Sequence, residues 1–184
     1  MKKILSLAFL LMLSLSLFAQ RQVTKFLGIP VDGSRTAMIQ KLKAKGFRYN
    51  SYVNGLEGQF NGKDVSIYVQ ANNNKVWRII VVYEDSYDKE QIKIQYNSLI
   101  NQFSNNPRYK VVNAKKLTDE DDIYQEVSIN KKQYQANFCQ LPDDENIEKR
   151  SVWFTIREEP NKFQKYSIGI FYENKYNEAN GDDL

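Results

Sequence analysis

The chain of 184 residues reads as an α+β protein. The expected plan is two tandem units, each a helix followed by an antiparallel β-meander, with the helices packed on one face of the sheet or sheets. Three observations predict it. Two segments place apolar residues at helical spacing, and most of the remainder alternates apolar and polar with period two. The order helix, strand, hairpin, tryptophan-bearing strand can also be traced twice. Residues 21–85 form the first expected unit, 86–173 the second, and 174–184 a flexible C-terminal tail.

The first helix is expected over Ser34 to Lys45, with Ser34 as N-cap after an Asp32-Gly33 turn. Met38, Ile39 and Leu42 share one face, and Gly46-Phe47 carries the signature of a Schellman stop, with Phe47 folding back on Leu42. A strand near Phe47 to Val53 follows. Leu56 to Phe60, Asn61-Gly62 and Lys63 to Val69 then make a two-residue hairpin in which Phe60 pairs with Lys63 and Leu56 with Ile67. After a polar turn at Asn72 to Asn74, the almost wholly apolar run Val76 to Tyr83 predicts a central strand covered at least partly on both faces.

The second helix is expected from Tyr87 to Asn105. Ile92, Tyr96, Leu99, Ile100 and Phe103 form its apolar stripe, Ser86 or Asp85 caps its start, and Pro107 enforces its end. A strand near Tyr109 to Lys115 comes next. Val127-x-Ile129, Asn130-Lys131 and Lys132 to Phe138 then read as a second hairpin laid over the first, with Val152-Trp153 falling where Val76-Trp77 stood. A strand near Gln164 to Tyr172 closes the second unit.

Residues 1–20 read as an export signal: Lys2 and Lys3, an apolar run from Ile4 to Phe18, and the small Ala19. Cleavage is expected near Ala19/Gln20, which implies a periplasmic or extracellular protein. The run is too short and weakly flanked for a membrane span, and no cysteine near the cleavage point offers a lipid anchor. Without Lys2 and Lys3 the formal charge of +4 falls to +2. The remaining lysines are dispersed among acids, so no nucleic-acid partner is expected.

Histidine is absent, which removes the usual general base, the commonest metal ligand and every Ser-His or Cys-His nucleophile. No catalytic, cofactor-binding or metal-ligating residue is assigned, and the protein is expected not to be an enzyme. The lone Cys139 is either sheltered in a monomer or the link of a disulfide dimer. The acidic run Asp119 to Asp122 lacks the spacing and glycine of a calcium loop, and Asp143 to Glu145 reads the same way. Glu57 and Glu126 are the first carboxylate pair to inspect for glycoside hydrolysis, against the plainer reading of two surface charges. Trp77 and Trp153 either fill the space between helix and sheet or stand exposed, where they would stack on sugar rings or anchor a protein. With Tyr52, Tyr68 and Asn137 they make the candidate binding surface. A protein partner in the envelope is the leading expectation. A glycan bound by exposed aromatics comes second, and a carboxylate-based hydrolase third.

The stretch Phe26 to Ser34 leading to Lys41-Leu-Lys-Ala-Lys-Gly-Phe47, the Val76-Trp77 strand and the close Phe171 to Leu184 resemble small exported proteins of Bacteroides-type gut bacteria. That resemblance implies habitat and export, not an activity. The tandem helix-plus-meander plan is similar in architecture to β-lactamase-inhibitor-protein-like folds and to small outer-membrane assembly lipoproteins. The missing lipobox cysteine counts against the lipoprotein branch.

Overall fold

A computed structural model describes residues 21–179 and 181, so the expected signal peptide and the last tail residues lie outside the described residues. The chain opens with a small hairpin, β1 (Lys25–Phe26) and β2 (Ile29–Pro30), followed by helix α1 (Arg35–Ala44). Four strands follow: β3 (Arg48–Asn50), β4 (Gly55–Phe60), β5 (Lys63–Asn72) and β6 (Lys75–Tyr83). Helix α2 (Lys89–Ser104) leads to β7 (Tyr109–Asn113), β8 (Gln135–Gln140), β9 (Ser151–Glu158) and β10 (Tyr166–Glu173). These eight strands form one antiparallel sheet in the order β3-β4-β5-β6-β10-β9-β8-β7, with β6 and β10 paired at its centre. No described helix is long and apolar enough to cross a membrane.

Local chemistry explains most boundaries. The Ser34 hydroxyl accepts from the Ala37 N–H at 3.2 Å, capping α1. At the other end Phe47 N–H reaches Leu42 O and Gly46 N–H reaches Lys43 O, the two bonds of a Schellman stop, with Gly46 at φ +99°. Asn61-Gly62 turns with both φ positive, as a type I′ loop requires, and sets Phe60↔Lys63, Gly58↔Val65 and Leu56↔Ile67. Gly58 is there for space: a Cβ on it would lie 2.6 Å from the Phe47 ring.

Three expectations need correction. Asp88, rather than Ser86 or Asp85, caps α2. Its carboxylate accepts from Glu90 and Gln91 N–H while the Gln91 side chain returns the bond, a capping box. The second hairpin is absent, because Tyr124–Ile129 winds as a π-helical turn and β8 begins only at Gln135. Ile123 and Val127, four residues apart, both point into the core, so this short apolar run follows a helical period. Trp153 therefore lies on β9, third of the four strands after α2, whereas Trp77 lies on β6, fourth of the four after α1. Finally, the residues after β10 are held at first. Asn174 is fully buried and donates to Val31 O, and Asn177 donates to Asp32 and to Val76 O.

One sheet face is the core. Val65, Ile67, Val69, Ile79, Val81, Phe154, Ile168 and Ile170 point to it and are buried. α2 lays Tyr96 and Phe103 on it, with ring centres 5.2 and 5.6 Å from Phe154. The N-terminal hairpin adds Phe26, packed 4.9 Å from Tyr172 and 5.3 Å from Phe60.

Burial pushes the phenols of Tyr83, Tyr96 and Tyr172 above their ordinary value near 10. A phenol whose folded pKa is raised stabilises the fold below the unfolded pKa, and that share is lost as pH climbs from there toward the folded pKa. Stability should therefore decline above about pH 10. The tyrosinate absorbance of these three buried rings at 295 nm should appear only with unfolding. A single smooth titration near pH 10 would contradict this.

Candidate functional site: the open sheet face

The alternate residues of the strands build the second face. Tyr68 of β5 is registered opposite Ile80 of β6, Ile80 opposite Phe171 of β10, Phe171 opposite Trp153 of β9, and Trp153 opposite Asn137 of β8. These five side chains form one row across five strands, about 19 Å at the usual strand spacing. All five are half-buried. Three of the five expected surface residues, Tyr68, Asn137 and Trp153, thus stand in one line.

Trp77 joins them by a different route. The β5–β6 register shifts after Gln70↔Arg78, leaving Trp77 as the extra residue of a bulge. Its ring lies 3.9 Å beneath the Arg78 guanidinium. The same guanidinium is 5.5 Å from the Phe171 ring and 5.9 Å from Trp153, and it pairs with Glu173 at 2.5 Å. Trp153 and Phe171 are stacked on each other, 3.8 Å apart and 8° from parallel. The tryptophans are therefore neither plugs between helix and sheet nor isolated platforms. They are parts of a braced aromatic cluster. Tyr52 stands apart in the β3–β4 turn, 98% exposed.

Next to the row, Gly169 leaves room for the Arg157 stem, which a Cβ there would meet at 2.8 Å. Ile80, Phe171, Arg78 and Glu173 escaped the sequence reading. Their outward parity is legible from alternation, but the adjacency of Phe171 and Glu173 to Trp153 depends on the β9–β10 pairing, and that of Ile80 and Arg78 on the β6–β10 pairing as well.

The other candidates have local partners. Glu57 accepts from Asn50 at 2.6 Å, and Glu126 pairs with Lys132 at 2.9 Å. Asp121 accepts from Thr118 N–H and hydroxyl, which hold its carboxyl below the usual range, and Asp122 accepts from Gln125 N–H. Asp143 pairs with Lys110 and Asp144 with Arg150. Among the described residues no group of three or more Cys, Asp or Glu is arranged to hold a metal. Cys139 is free and buried on β8, and burial pushes its thiol up. Comparisons with protein-family models, with curated proteins and with solved structures give no match for this chain.

Proposed function

We propose that this is an exported, non-catalytic binding protein that recognises a protein partner in the envelope or outside the cell through its open sheet face. The five-residue row Tyr68, Ile80, Phe171, Trp153 and Asn137 carries this reading. Aromatic rings and arginine held rigid by one another lose little conformational freedom on docking, which is why such residues dominate interface energetics. The chemistry favours a protein over a glycan. A sugar platform is a broad exposed ring, whereas Trp153 and Phe171 each spend one face on the other, Arg78 takes one face of Trp77, and all three rings are half-buried.

The test is capture of envelope and extracellular proteins on the immobilised mature chain, run beside Tyr68→Lys and Trp153→Ala, with folding checked by circular dichroism. A partner retained by the parent and lost from both variants is expected, each substitution weakening affinity by about thirtyfold or more. No specific capture, or equal capture by all three proteins, would overturn the reading.

A further inference from the structure

A concave feature lies on the other side of the sheet. Successive residues of β10 point opposite ways, so that Phe171 joins the open face while Tyr172 points inward. Beyond Tyr172 a cleft of about 530 Å³ opens between the N-terminal hairpin, the β4–β5 turn and the C-terminal end of α2. That volume falls in the range of small-molecule sites, roughly 300–1,000 Å³. Phe60, Leu99, Phe103, Tyr109 and Tyr172 make its apolar lining.

The polar lining falls into two classes that behave differently. The carboxamides are largely occupied in bracing the walls. Gln140 accepts from Lys25 N–H at 2.7 Å and donates to Lys25 O at 3.0 Å, which ties the hairpin to the end of β8. Asn61 donates to Gln102 at 2.7 Å, joining the β4–β5 turn to α2, and Asn106 accepts from Arg108. The two cations are less engaged: Arg108 commits only its Nε, to Asn106 at 3.3 Å, which leaves both Nη groups at the end of the fork, and the Lys25 ammonium has no hydrogen-bond partner among the described residues. Lys25 and Arg108 are exposed, and neither forms an ion pair among the described residues. Among the described residues no aspartate or glutamate lines the cleft, in a chain with 22 acidic residues.

We propose that this cleft is a binding site for a small organic anion with an apolar body, a ring or short chain bearing one carboxylate or sulfonate. The body lies against Phe60, Phe103 and Tyr109, and the anionic group meets Arg108 and Lys25. A polyol is the poorer fit, since several of the carboxamide groups it would need already brace the walls. An acidless, doubly cationic mouth raises the local concentration of anions and repels cations. The guanidinium fork of Arg108 suits the paired oxygens of a carboxylate or sulfonate.

The probe is 8-anilinonaphthalene-1-sulfonate, an apolar body with one sulfonate, titrated into the mature protein and followed by its fluorescence. The parent should bind it saturably at one site. The double variant Lys25→Gln/Arg108→Gln, altered only at exposed side chains, should weaken binding about tenfold or more. Trp153→Ala, on the open face, should leave the affinity within about twofold. Absence of saturable binding, an unchanged affinity in the double variant, or loss of binding with Trp153→Ala would each overturn the proposal. The last comparison separates this site from the protein-binding face, so either reading can fail without the other.

Discussion

Replacing Phe154 with alanine should lower the unfolding free energy by about 3–5 kcal/mol. The ring is wholly buried and lies at the point where α2 meets the sheet, 5.2 Å from Tyr96, 5.6 Å from Phe103 and 5.9 Å from Phe138. Removing it discards its own transfer free energy and leaves a void that three large rings cannot easily fill. It also discards aromatic contacts worth about 0.5–1.5 kcal/mol per pair beyond area. Against a total stability of about 5–15 kcal/mol the loss is a large fraction. Urea denaturation should show a lower midpoint with the slope retained, and Phe154→Leu, which leaves a smaller void, should lose clearly less. A cost below about 1 kcal/mol would mean that α2 repacks freely on the sheet.

The second large effect is expected at Arg150. Its side chain is 1% exposed, yet it is charged. Nε donates to Gln140 O at 2.9 Å, and Nη2 donates to Pro142 O and to the Asp144 carboxylate. Arg150→Ala leaves two carbonyls without their charged donor and empties the space of the stem, so a loss of about 3 kcal/mol is expected. Arg150→Met keeps most of the stem and isolates the polar share. In both variants the Asp144 carboxyl, held below its usual range by the guanidinium, should titrate at higher pH, which carboxyl NMR shifts would follow. Because Arg150 fixes the backbone of Gln140, and the Gln140 side chain fixes Lys25, its loss should also loosen the N-terminal hairpin over the cleft. Faster amide exchange at Lys25 is the readout. Unchanged stability in both variants would remove Arg150 from this structural role.

What could be read in advance follows the range of each interaction. The Schellman stop at Gly46, the Asn61-Gly62 register and the α2 stripe from Ile92 to Phe103 are set by residues a few positions apart, and all three agree with the structure. Val127-x-Ile129 failed because two apolar residues fit either period, and the buried partner at Ile123 decided for a helical turn. Tyr68, Asn137 and Trp153 could each be assigned an outward direction by parity. Their alignment in one row needed strand order, which arises from pairing between residues about ninety positions apart. The cleft was illegible for the same reason: its walls come from the hairpin, the β4–β5 turn, α2, β7 and the ends of β8 and β10.

The place of β10 has a consequence for how the chain assembles. Spatially it is central, clasped between β6 and β9, but it is the last strand of the sheet along the sequence. A ribosome makes the middle of this sheet at the end. Until residues 166–173 are available, β6 and β9 each present a bare edge, the kind of edge that invites pairing with the wrong chain. Closure of the sheet is thus a long-range event that waits for the last strand, of the kind that slows folding. A chain cut short before Tyr166 would lose the one strand that pairs with both β6 and β9 and leave two half-sheets linked along the chain only through α2.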